Sequence, residues 1–322
     1  TYKKFNLKID EHYYESQVYK RGKEIILEQY KKGNVQKKLD GAYYIDLSEE
    51  NLGEKILLSS DGTSIYITQD LYLSELKLKD FPKTDVSIHV VANEQDYHFK
   101  VLFKILELLK LKSAGKGYHL SYGYVSLPEG RMKSREGKVV DADDLVEEMI
   151  QLARKEIIKR HDLSKKEIEK RAKMIGLGAL TFFILKIDPF KDMVFNPEES
   201  INFEGDTGAY VQYAYARCCS ILKNKKLDGI NYELFDELEV ELIKTLGNFS
   251  TIVEKAKLEY KPSLIANYLL KLTKIFNEFY HNNQVLKAED ALRRNRLALV
   301  FSVKEVLRNG LNLLGIEAPN EM

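Results

Sequence analysis

Residues 86–109 read VSIHVVANEQDYHFKVLFKILELL, and this stretch decides the fold class. Val86-Ser87-Ile88-His89-Val90-Val91 is a short β-branched run of the kind that forms a buried strand. Polar residues Asn93 to Tyr97 follow it. Phe99, Leu102, Phe103, Leu106 and Leu109 then recur at helical spacing and predict one apolar helix face. Strand, polar loop, helix is the α/β unit, and in sheets built from it ligands gather beyond the carboxyl ends of the strands.

Working toward the N-terminus, Ala42 to Leu47 and Ile56-Leu57-Leu58 read as strands, and Ser60-Asp61-Gly62 as a turn. The apolar run after that turn, Ser64-Ile65-Tyr66-Ile67, is expected to be a further strand. In the other direction lies YGYVSLPEGRMKSREGKVVDADD, residues 122–144. Gly130 and Gly137 bracket a loop carrying Arg131, Lys133, Ser134 and Arg135. Cations and a hydroxyl between glycines suit a loop that closes over a polyphosphate and stabilises developing negative charge. An exposed basic turn would have the same composition.

Beyond Val140 the pattern is nearly all helix. Asp143 and Asp144 place negative charge at a helix start, where the macrodipole favours it. Ser164-Lys165-Lys166-Glu167 reads as a capping box. Residues 154–173 carry nine Lys and Arg, which suit either a solvated helix face or a surface for a nucleic-acid backbone. Pro189 and Pro197 flank a strand-like piece at Met193-Val194-Phe195, the expected domain joint. From about Ser200 onward come long helices with apolar stripes, such as Leu292, Ala298, Leu299, Val303, Val306 and Leu307.

The 322 residues are 31% charged with a formal net charge of +1, so bulk charge points to no polyelectrolyte partner. Residues 201–322 hold 16 Lys and Arg against 16 Asp and Glu. RNA binding there would need local contacts, and Tyr210, Tyr213, Tyr215, Phe279 and Tyr280 could stack on splayed bases. They could equally be core between helices. Tyr210, Tyr213 and Arg217 share one helix face at i, i+3, i+7, which fits both readings. Cys218 and Cys219 are adjacent, match no zinc spacing, and are expected to be reduced and helix-borne in a cytosolic protein. No apolar run reaches membrane-spanning length. The chain opens on Thr1, and it is expected to begin partway through a longer protein.

Four blocks, in this order, resemble the arginyl-tRNA synthetases, a family of class I aminoacyl-tRNA synthetases. They are Ser60-Asp61-Gly62-Thr63 leading to Tyr66-Ile67-Thr68-Gln69-Asp70; Asn93 to Phe99; the basic loop, which resembles the family's KMSKS loop; and Phe203 to Arg217. The ending from Leu307 to Pro319 is also similar, and the likeness spans about Tyr14 to Met322. It implies an α/β plus all-α protein: the second half of a Rossmann-type catalytic domain at 1–140, a helical connecting region at 141–200, and a helical-bundle anticodon-binding domain at 201–322.

The resemblance further implies arginine recognition by Tyr66, Asp70 and Gln95. A carboxylate is a fitting partner for a guanidinium because it accepts parallel N–H bonds with matched charge. By spacing alone Asp70 could instead cap a helix and Gln95 could be a surface residue. His98 is expected to pack beneath the site, with contact to nucleotide as the second reading. ATP, with Mg2+ as part of the substrate, would lie against the backbone of Gly123, Tyr124 and Val125. Arg131, Lys133 and Ser134 would serve catalysis at its phosphates. Here Lys133 replaces the loop's usual serine and Ser134 its second lysine. Tyr210, Tyr213, Arg217 and Tyr280 are the candidates for contacts with tRNA(Arg). No tightly bound cofactor, protein-held metal or membrane partner is implied, and a cytoplasmic monomer is expected.

One departure is an absence. The class I signature H-x-G-H occurs nowhere among His12, His89, His98, His119, His161 and His281. The expectation is an arginine–tRNA ligase chain that is inactive alone. The alternative is a non-catalytic RNA-binding or scaffold protein derived from a synthetase, which a start codon close upstream of Thr1 would favour.

Overall fold

A computed structural model of the chain describes residues 1–5, 7–128, 141–160, 162–225 and 235–322. The expected phosphate-closing loop, with Arg131, Lys133 and Ser134, lies outside the described residues. By their contacts the described residues form two units, Lys8–Gly123 and Thr1–Leu7 with Tyr124–Met322.

In the first unit, α1 (Glu15–Lys31) precedes a three-stranded sheet of β1 (Gln36–Lys37), β2 (Tyr43–Leu47) and β3 (Gly53–Leu58), antiparallel in that order. Then come α2 (Tyr66–Asp80), β4 (Ser87–Ala92), α3 (Asp96–Leu108) and β5 (Gly117–Tyr122). β4 and β5 pair in parallel, from Ser87↔Gly117 to Ala92↔Tyr122. Parallel neighbours need a crossover, and α3 supplies it. Ile26, Leu47, Leu57, Leu58, Leu71, Leu102 and Ile105 fill the core. α1 and α2 pack closely, so that a Cβ on Gly22 would lie 2.5 Å from the Thr68 carbonyl oxygen.

Two expectations need correction here. Tyr66 and Ile67 are not in a strand. Only Ser64 bridges to β3, at Leu58, and Tyr66 opens α2. Ile67, Thr68 and Leu71 face the core at helical spacing, and the Thr68 hydroxyl donates to the Leu57 carbonyl, fastening the first turn to β3. The strand at 87–92 is also covered on one face only. His89 turns toward α3, with ring centroids 5.0 Å from Phe99 and 5.7 Å from Phe103. Ile88 and Val90 point the other way and are exposed.

The second unit begins with β6 (Val125–Ser126), followed by α4 (Ala142–Arg160), α5 (Lys165–Leu185), β7 (Met193–Val194) and α6 (Pro197–Ser200). β6 and β7 pair in parallel, Val125 opposite Met193. Ser164 caps α5 by accepting from the Glu167 N–H at 3.3 Å. Next come α7 (Gly208–Leu222), α8 (Glu237–Gly247), α9 (Phe249–Glu259), α10 (Pro262–Asn282) and α11 (Asp290–Leu313). Their apolar stripes meet in one core that includes Val211, Leu269, Phe276, Val300, Val303 and Leu307. Tyr215 and Phe279 belong to this core, so neither is available to stack on a base. Cys218 and Cys219 are free thiols on α7. Among the described residues no helix is long and apolar enough to cross a membrane.

Candidate functional site

Three of the expected ligand-binding residues fall at helix starts in the first unit. Tyr66 is the first residue of α2 and is 78% exposed. Asp70 lies one turn further on. The residue capping α2 is Ile65, so Asp70 is no cap. Gln95, exposed, is the N-cap residue of α3 at the carboxyl end of β4. His98, one turn into α3, reaches across to α2, where its Nε2 lies 2.7 Å from Asp70 Oδ2. The ring is held edge-on against Phe99, with centroids 5.6 Å apart. His98 therefore orients the carboxylate as well as packing. The sequence offered packing under the site or contact with nucleotide for His98, and nothing in a spacing of 28 residues announces the pair.

Beneath this pair the ring of His119 stacks on Phe99 at 4.3 Å, and its Nε2 sits 3.0 Å from the Val91 carbonyl oxygen. Burial, and secondarily Lys77, push the His89 imidazole down to about 4, so it is neutral at pH 7. Burial also lowers the Lys77 ammonium, against the attraction of Asp70. Asp70, anchored by His98 through one oxygen and partly exposed, is a carboxylate of the kind that suits a planar cation with several N–H donors.

Gly123 follows β5 at the end of the first unit, and Tyr124 and Val125 open the second. The Tyr124 N–H donates to Asp192 Oδ1 at 2.8 Å, and its carbonyl accepts from the Met193 N–H at 2.8 Å. Those groups face β7. Strand alternation turns the N–H and C=O of Val125 to the opposite edge. The backbone N–H and C=O of Tyr124 are thus both engaged by the β7 side.

On α7 and α10 the expected aromatic cluster comes together around one cation. The Arg217 guanidinium lies 4.8 Å from the Tyr213 ring centroid and 5.3 Å from that of Tyr280. Its Nη1 donates to Asn277 Oδ1 at 2.6 Å, and Asn277 Nδ2 donates to the Tyr210 hydroxyl at 2.9 Å. Asn277 was not singled out in the sequence; its place one turn before Tyr280 was the available signal. Beside the cluster opens a cleft of about 720 Å³, lined in part by Arg171, Arg217, Lys223 and Lys304. Elsewhere on the basic stretch 154–173, Arg154 pairs with Glu169 and Lys159 with Glu156, so part of that face is neutralised locally.

Residues 1–197 match the family described as tRNA synthetases class I (R), catalytic domain, and residues 211–322 match the DALR anticodon binding domain. An arginine–tRNA ligase of Bacteroides thetaiotaomicron is 46% identical over 335 residues, covering 100% of this chain and 56% of its own length. Arginyl-tRNA synthetase of Thermus thermophilus superposes with a TM-score of 0.90 at 29% identity, over 99% of this chain and 61% of that one. The Plasmodium falciparum arginyl-tRNA synthetase shares the fold, with a TM-score of 0.83 at 22% identity over 100% of this chain and 56% of that one. The chain thus spans somewhat over half the length of the relatives it matches.

Proposed function

The chain belongs to the class I arginyl-tRNA synthetase family, and from that membership we propose that it carries the arginine-recognising and tRNA-reading parts of an arginine–tRNA ligase. The parent reaction joins arginine to ATP as an adenylate, releasing pyrophosphate, and then passes the arginyl group to tRNA(Arg). Residues 1–140 would belong to the catalytic domain, 141–200 would connect, and 201–322 would hold the anticodon. A cytoplasmic monomer acting on ATP with its Mg2+ completes the reading.

The observation that carries it is the Asp70 carboxylate fixed by His98 at 2.7 Å, one turn from the exposed Tyr66. An anchored carboxylate can take a guanidinium without reordering, which lowers the entropy cost of binding. Gln95 adds a neutral acceptor, and the Tyr66 phenol a ring face. Val125 would meet the adenine edge, while Arg131, Lys133 and Ser134 would close on the phosphates and stabilise charge as pyrophosphate leaves. In the helical part, Tyr213, Arg217 and Tyr280 would face splayed bases, with Asn277 accepting from the guanidinium and donating to the Tyr210 hydroxyl. The H-x-G-H signature is not among these 322 residues, so the reading assigns the full reaction to the longer protein.

Arginine-dependent ATP–pyrophosphate exchange by the full-length protein tests it. Asp70→Ala should lower kcat/KM for arginine by at least 100-fold, mostly through KM. Unchanged exchange in that variant would remove Asp70 from the site.

A further inference from the structure

Gln95 lies on the short connection from β4 to α3, and its side chain has no hydrogen-bond partner among the described residues. The side chains of Asn93 and Glu94 have none either. A free amide on an exposed connection reaches a ligand in one geometry only if its backbone is held, because each unfixed residue costs ordering entropy at the moment of binding.

One imidazole holds that backbone at both ends. His119 of β5 has a side chain only 10% exposed. Its Nε2–H donates at 3.0 Å to the carbonyl of Val91, the penultimate residue of β4, since a carbonyl can only accept. Its Nδ1 lies 3.5 Å from Oδ1 of Asp96, the first residue of α3. Asp96 is half exposed and the separation is long, so this second hold is the weaker. Stacking on Phe99 at 4.3 Å fixes the plane of the ring. Beyond Asp96, the Tyr97 hydroxyl ties the start of α3 to the Leu52 carbonyl at 2.7 Å. Residues 92–95 are thus bracketed by His119, and Gln95 is the last of them.

We propose that His119 is a positioning residue for arginine recognition. It touches no substrate and acts through Gln95, by fixing the end of β4 against the start of α3. The inference rests on the reading that Gln95 contacts arginine. Arginine-dependent ATP–pyrophosphate exchange by the full-length protein, run as a double-mutant cycle, tests both separately. Gln95→Ala should raise KM for arginine about tenfold. His119→Phe keeps the stack on Phe99 and removes both polar holds, and it should raise that KM about fivefold with kcat within about twofold. His119→Asn, too short to reach Val91, should do the same and serves if the phenylalanine variant does not fold. His119→Gln, whose amide places a donor near the position of Nε2, should recover most of the loss. Combined with Gln95→Ala, His119→Phe or His119→Asn should add no more than about twofold, because a residue that acts through Gln95 then has nothing to act on. Parental KM in both His119→Phe and His119→Asn beside a raised KM in Gln95→Ala would overturn the inference. So would additive effects in the double variant, or a fall in kcat as large as the rise in KM, which would make His119 merely structural. Parental KM in Gln95→Ala would overturn the underlying reading, and the inference with it.

Discussion

Glu239 lies in α8 with no solvent exposure, and Arg296 of α11 is its counter-ion. Arg296 Nε donates to Glu239 Oε1 at 2.6 Å, and Arg296 Nη1 to the Gln284 carbonyl at 3.0 Å. The other Glu239 oxygen accepts the Asp236 N–H at 2.9 Å, closing a capping box. Arg296→Met keeps much of the stem's packing but leaves the carboxylate buried with one backbone donor. Breaking a buried pair by removing one partner costs about 3–5 kcal/mol. That is a large part of the roughly 5–15 kcal/mol that stabilises a domain. With a urea m-value of about 2 kcal/mol/M, the midpoint should fall by about 1.5–2.5 M. Urea titration followed by circular dichroism at 222 nm measures it, using the transition that carries most of the helical signal. Glu239→Gln with Arg296→Met should recover at least 2 kcal/mol of the loss, because the uncompensated charge is gone. A midpoint shift below about 0.5 M for Arg296→Met, or strict additivity in the double variant, would refute the argument that an orphaned charge causes the loss.

Gly22→Ala should lower the melting temperature by forcing α1 from α2, since its Cβ would meet the Thr68 carbonyl at 2.5 Å; overpacking of this kind costs about 1–3 kcal/mol. A melt indistinguishable from the parent's would mean that the helices separate freely there. His89 gives a pH dependence of fixed sign. Its folded value of about 4 lies below the model-peptide 6.5, so the unfolded chain binds more protons between those limits and stability falls as pH drops from about 6.5 to 4. His89→Asn should flatten that slope in denaturant titrations at stepped pH, and an unchanged slope would assign it to other groups.

The parts of this molecule that periodicity encodes were legible. The strand, loop and helix of 86–109, the capped start at Ser164 and the α11 stripe all follow from local spacing and end chemistry. The run at Ser64–Ile67 misled because three consecutive apolar residues, Ile65, Tyr66 and Ile67, cannot distinguish a strand from a helix's first turn. The Thr68 bond to Leu57 decides it, and that contact is tertiary. The same limit hid the two partners that give the candidate sites their geometry. His98 meets Asp70 across 28 residues and Asn277 meets Arg217 across 60. The resemblance implied a role for Asp70, and helical spacing put Arg217 on one face with Tyr210 and Tyr213. Only packing could say what holds each in place.

The β6–β7 pair joins residues far apart in the chain, with Tyr124 and Asp192 separated by 68 positions. Closing a loop of that size costs about 3–4 kcal/mol in chain entropy. A ladder two residues long returns only a few hydrogen bonds at about 1 kcal/mol each, so it cannot close that loop unaided. Its closure depends on α4 and α5, which pack closely enough that a Cβ on Gly176 would lie 2.8 Å from the Met149 carbonyl oxygen. The short β6–β7 ladder is thus held in place by the packing of α4 on α5 and not by its own hydrogen bonds.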